Sequence, residues 1–307
     1  MNAWVIPTGL RAEGPQPTST APAGLPLSRT IAAVPPPLLV LISILSVQLG
    51  AAMAVRFLGA VDPLGVVFLR MGFASLLLLP VARAPLRDLR SHAGLLLLFG
   101  AVIAGMNLCF YEAIARIPLG ITVTIEFIGP LAVAVAASRR VLDVLWVSLA
   151  AAGVILIGPE MGGSLDPRGL GFAALAGAGW GCFVLLSRRV GHVLPGNAGL
   201  AVAMAAGTAL LLPSALHDGS LARLDAVLLG TGFAIAVLAT AIPFSLEFAA
   251  LKRLSPRGYG VLVTLEPAVA VAVGAVLLGQ PAAPRALLAT SLVVVATIGV
   301  TLFDQRR

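Results

Sequence analysis

The sequence predicts an all-α integral membrane protein whose ten transmembrane helices form two inverted five-helix repeats. Three observations predict it. The 307 residues are 59% hydrophobic and 11% charged, with mean hydropathy +1.03, well outside the range of soluble globular domains. Apolar runs of about 20 residues, the length that crosses a hydrocarbon core of about 30 Å, recur ten times along the chain. Cationic residues gather on alternate loops.

In chain order, residues 1–33 come first, where Pro7, Pro15, Pro17, Pro22 and Pro26 alternate with Ser, Thr, Ala and Gly. No apolar core follows a basic start, so this stretch reads as a disordered cytoplasmic tail and not as a signal peptide. The ten spans follow at about 36–55, 63–81, 93–115, 118–137, 144–159, 169–186, 198–216, 226–250, 258–278 and 286–303. With the tail counted as inside, fourteen of the 20 Lys and Arg fall on inner segments. Five (Arg56, Arg116, Arg168, Arg223 and Arg285) fall outside, and Arg70 stays within a span. That positive-inside bias puts both termini in the cytoplasm. The net charge of +7 then reflects topology and gives no nucleic-acid reading. Cys109 and Cys182 sit within spans three and six, which argues against a structural disulfide.

An internal repeat organises the spans. A shift of 137 residues lays 113–118 on 250–255 and Pro130 on Pro267, and brings Glu126 within one helical turn of Glu266. Five spans per repeat is an odd number, so the second copy enters the membrane upside down. The resulting units are 34–160 and 161–307. Inverted repeats of this kind place a binding site near the midplane.

Four glutamates, Glu112, Glu126, Glu247 and Glu266, lie in the third, fourth, eighth and ninth spans. Ionisable residues at membrane depth are costly and mark paths for substrate or ions. Glu126 and Glu266 also adjoin the helix-breaking Pro130 and Pro267. Glutamates beside broken helices, at matching places in two repeats, point to a secondary transporter.

Several segments, Gly105-Met106-Asn107, Phe110-Tyr111, 117–120, Glu126-Phe127, Gly129-Pro130-Leu131, Ser138-Arg139-Arg140, Ser245-Leu246-Glu247 and Glu266-Pro267-Ala268, resemble the EamA-type exporters of the drug/metabolite transporter superfamily. Within it they are most similar to the bacterial threonine/homoserine exporters. The resemblance runs from about residue 36 to 303. It implies export of neutral amino acids, threonine- or homoserine-like or aromatic, across the bacterial inner membrane by proton antiport. It leaves open another small metabolite or a cationic drug as substrate. The proline-rich tail departs from the pattern, as does Phe244, where the threonine exporters would carry tyrosine.

The candidate site residues carry specific expectations. Glu126 lies about 12 Å into its span at 1.5 Å per residue, near the midplane, and Pro130 deprives its backbone carbonyl of the i+4 donor. Carboxylate and carbonyl together would receive an ammonium. Pro267 frees the carbonyl of Val263 beside Glu266, and Glu126 and Glu266 are the candidates to carry the coupling proton. Pro243 is a third helix break. Glu112 can pair with Arg116 at i,i+4. Glu247 can pair with Lys252 or Arg253, or join the site. Arg70 is either a fixed counter-ion for Glu126 or Glu266, or a clamp for the substrate carboxylate. Trp180, within Gly177-Ala178-Gly179-Trp180-Gly181, is either packing or a cavity wall, with Asn107, Tyr111 and Phe244 as further substrate contacts.

An enzyme fits poorly. The Asp residues and His92, His192 and His217 lie in loops or at span ends, no metal-binding spacing occurs, and no cofactor is implied. A channel fits no better, for want of a charge ring or carbonyl filter. The partners implied are lipid, a small substrate and protons, with no protein partner required.

Overall fold

The computed structural model describes residues 34–81, 85–136, 165–194, 198–217, 225–251 and 262–303, with isolated positions 145, 146, 148, 149, 152, 153, 156, 219 and 253. Among the described residues all regular structure is helical. In order, the helices are α1 (Pro36–Phe57), α2 (Pro63–Leu78, extended by a 3₁₀ turn Leu79–Val81), α3 (Leu86–Ser91) and α4 (Ala93–Ile114). Then come α5 (Leu119–Glu126), α6 (Ile128–Ala136), α7 (Pro167–Val193) and α8 (Ala198–His217). The last four are α9 (Ala226–Ala236), α10 (Ile242–Leu251), α11 (Glu266–Leu278) and α12 (Pro284–Phe303).

Local chemistry starts these helices where the apolar runs begin. Proline occupies the first turn of α1, α2, α7 and α11, where a missing N–H costs nothing. Aspartates cap α2, α7 and α9: Asp62 accepts from the Gly65 amide at 2.7 Å, Asp166 from Arg168 at 2.9 Å and Asp225 from Leu228 at 2.7 Å. By length and composition α1, α4, α7 and α8 can each cross a membrane unbroken.

The structure differs from the sequence expectation in two ways. Helix α7 runs to 27 residues, beyond the predicted 169–186, so Arg189 and His192 are helical. The short helix α3 was not expected. The predicted fifth span, like the 138–140 motif, lies largely outside the described residues; its Trp146 and Leu149 pack on Leu131 and Ala296.

Three spans, the fourth, eighth and ninth, are interrupted, each for a visible reason. The fourth breaks at Phe127, between α5 and α6, one residue after Glu126 and three before Pro130. The ninth breaks at the turn Thr264-Leu265, and Glu266 and Pro267 begin α11. The eighth passes from α9 through a π turn, Val237–Ala241, into α10, which carries Pro243 at its second position.

Helix α4 packs along α7 and α8, α8 along α2, and α10 along α1; α11 packs against α5 and α1, while α5 and α6 lie on α7. Helix α12 packs outside α5, α6 and α11, joined to α5 by a buried hydroxyl pair, Thr124 and Thr290, at 3.0 Å. In lipid the contact between helices rests on close packing and not on water exclusion. The glycines of α7 supply it: a Cβ on Gly177 would stand 2.9 Å from the Glu126 carbonyl oxygen, and one on Gly129 only 1.7 Å from the Gly177 carbonyl oxygen.

Candidate functional site: a dipolar cavity between the helices

The breaks in the three interrupted spans converge on one cavity of about 180 Å³, with polar walls formed by Gln48, Arg70, Asn107, Glu126, Glu247 and Glu266. A single buried water needs only about 10–15 Å³, so the space is of small-molecule size. Phe110, Trp180 and Phe183 supply aromatic wall.

Arg70 anchors one side. Its Nε donates to Thr240 Oγ1 at 3.3 Å, one terminal nitrogen to Asn107 Oδ1 at 2.7 Å and to the Tyr111 hydroxyl at 3.3 Å, and the other to the Ala239 carbonyl at 3.1 Å. The Tyr111 ring also lies 5.8 Å from the guanidinium carbon. All these partners are neutral, and among the described residues no carboxylate hydrogen-bonds to this guanidinium; its link to Glu126 is electrostatic, through space.

Pro243 explains why acceptors are available there. In an α-helix its N–H would have served Ala239, and in the π register of this turn it would have served Leu238. Proline has neither. Arg70 takes the first orphan carbonyl, and Ser46 takes the second, donating to Leu238 at 2.7 Å. Asn107 is fixed in turn, its amide nitrogen donating to Ile103 at 2.8 Å. The proline thus builds the socket of the cation.

The carboxylates occupy the other walls. Glu126, at the end of α5, is 8% exposed. Glu266 accepts from Gln48 Nε2 at 3.2 Å, and Glu247 from Ser43 Oγ at 2.7 Å. Glu266 interacts through space with Glu247 and Glu126, and Glu126 with Arg70.

Of the two partners expected for Glu247, Arg253 donates to the Val34 carbonyl at 2.8 Å and Lys252 lies outside the described residues. Two other expectations need correction. The Glu126 carbonyl does not face the cavity as a free acceptor, because the Gly177 backbone covers it. Tyr111 is fully buried and acts through Arg70, not on the cavity. Glu112 behaves as its spacing suggested and pairs with Arg116, which also reaches Asp166 at 3.7 Å and lies over Phe172.

Trp180 combines both readings offered for it. It lines the cavity, meets Phe127 edge to face at 5.1 Å, and stands between glycines that let α7 approach α4 and α5. Phe244 belongs to α10, and its side chain lies outside the described set. Gln48, Ser43 and Thr240 were missed. Their signal was the polar side chain inside an apolar run, the same signal that picked out the glutamates.

The EamA-like transporter family matches residues 167–302. The threonine/homoserine exporter RhtA of Salmonella typhimurium (strain LT2) is 36% identical over 88% of this chain and 92% of its own length. The chain belongs to the EamA-like transporter family. RhtA of Escherichia coli (strain K12) is 35% identical over 87% of this chain and 91% of its own. A crystal structure with 20% identity superposes with TM-score 0.56, covering 88% of this chain and 98% of the other, which shows a shared fold. As an EamA-family member the protein is a membrane transporter and not an enzyme.

Proposed function

We propose that this protein exports threonine, homoserine and related neutral amino acids across the bacterial inner membrane in exchange for protons. The carrying observation is the polarity of the cavity: a guanidinium held by neutral acceptors on one side, three carboxylates on the others. A zwitterion fits it in one orientation, carboxylate toward Arg70 and ammonium toward the glutamates.

Arginine has five N–H donors, of which four are engaged. One remains for the substrate carboxylate, and a bidentate grip requires the Tyr111 hydroxyl to yield. Glu126 and Glu266 repel one another across the cavity until an ammonium or a proton arrives. Substrate and proton therefore compete, and that competition is the coupling of an antiporter. Side-chain choice falls to Trp180, Phe110 and Phe183, and Phe244 joins them in this proposal.

Alternating access follows from rocking of units 34–160 and 161–307 around the cavity. The packing supports two related halves. Exchanging the halves turns the contact of α4 with α7 into that of α10 with α1, and the contact of α5 with α7 into that of α11 with α1. The charge asymmetry puts both termini inside.

Counterflow in proteoliposomes, with homoserine and the twenty standard amino acids each as competitor against labelled threonine, tests the proposal. Threonine and homoserine should exchange, and organic cations that lack a carboxylate should compete poorly. Exchange driven by such cations and by no amino acid would replace this reading with that of a cationic drug exporter.

A further inference from the structure

Gln48 sits in α1 with 1% of its surface exposed and faces the cavity. Its Nε2 donates to Glu266 at 3.2 Å, which fixes the direction of the amide. The other end, Oε1, is buried without a hydrogen-bond partner among the described residues. Buried acceptors are nearly always satisfied, and one that is not gains from any ligand that brings a donor.

The neighbouring chemistry decides the donor. The cavity that Gln48 lines also carries the carboxylates of Glu266, Glu247 and Glu126, which when ionised only accept. The Ser43 hydroxyl donates to Glu247. A substrate hydroxyl brings a single donor to this group of acceptors. A primary ammonium only donates, three times, and suits such a wall.

Resting on the amino-acid reading above, we infer that Gln48 Oε1, with the carboxylates of Glu266 and Glu126, receives the α-ammonium of the substrate. Gln48 is then a binding residue for every amino acid carried and not a selector of hydroxylated side chains. The receptor is made of side chains on α1, α5 and α11, so it joins both halves of the molecule at the ligand.

Counterflow of labelled threonine in proteoliposomes tests this with three competitors. 2-Aminobutyrate lacks the hydroxyl, 1-amino-2-propanol lacks the carboxylate, and 2,3-dihydroxybutanoate lacks the ammonium. Gln48→Met keeps the length of the side chain and removes the amide. It should weaken threonine, 2-aminobutyrate and 1-amino-2-propanol alike by about ten-fold, the scale of a hydrogen bond to a charged group, and leave 2,3-dihydroxybutanoate unchanged. Loss for threonine with none for 2-aminobutyrate would make Gln48 a hydroxyl selector and overturn the inference, as would no loss at all. Gln48→Asn keeps an amide one methylene shorter and decides on the same ratios if Gln48→Met does not fold. Should wild type show no threonine counterflow, the export reading fails by itself. Protection against thermal unfolding by 1-amino-2-propanol, wild type against Gln48→Met, then still decides whether this wall takes an ammonium.

Discussion

Each charge in the cavity depends on a neighbour that a sequence search for charges would pass over, and Pro243 is the sharpest case. Pro243→Ala restores an N–H, so Leu238 or Ala239 regains its intrahelical bond and Arg70 loses an acceptor. The variant should fold at least as stably as wild type, yet show a five- to ten-fold higher half-saturation for threonine, about the effect of one misplaced hydrogen bond; counterflow and melting in detergent read the two separately. Glu126 carries the second prediction at this scale. Glu126→Gln mimics the protonated carboxyl and should abolish uptake into inside-out vesicles driven by a pH gradient. Accumulation with wild-type pH dependence in that variant would make Glu126 a structural residue.

Among the elements, α7 against the α5–α6 break is the tightest crossing. A methyl on Gly177 would meet the Glu126 oxygen at 2.9 Å and its Cα at 3.2 Å, both backbone atoms that cannot swing aside. Gly177→Ala should cost about 1–3 kcal/mol and lower the melting temperature, whereas Gly105→Ala, with nothing within 4 Å, should leave it unchanged. A second set of contacts ties the helices at one end. Gln280 accepts from the Leu119 amide at 3.0 Å, capping α5, and Arg56 donates to the Leu277 carbonyl. Both cross from one half to the other, on the side that the charge bias puts outside. Gln280→Ala should loosen this closure, and a cysteine at Val123 should then label from the periplasm several-fold faster than in the parent; an unchanged rate would remove Gln280 from the outer gate.

Over the whole molecule, the proposed orientation rests on alternate loops carrying opposite densities of positive charge. His192 ends α7 and His217 ends the antiparallel α8, so the two lie at opposite ends of the bundle, both exposed. In a variant lacking Cys109 and Cys182, His217→Cys should react with an impermeant thiol reagent in intact cells and His192→Cys should not. Reversed labelling would invert the topology and make the tied end cytoplasmic.

What the sequence determined by itself were properties set by composition and by covalent structure: the membrane class, where most helices begin, and the residues whose charge or ring makes them costly in lipid. Glu126, Glu266, Arg70 and Trp180 were legible for that reason, and they do meet in one cavity. What only the tertiary structure decided were pairings between residues about fifty to two hundred positions apart. Spacing along one helix could suggest Lys252 or Arg253 for Glu247, and could orphan the Glu126 carbonyl, but only the fold brings Ser43 of α1 to Glu247 and the Gly177 backbone of α7 against that carbonyl. Gln48 escaped notice because an uncharged amide costs less in an apolar run than a carboxylate does. Its importance is visible only when Glu266 takes one end of it and, among the described residues, nothing takes the other.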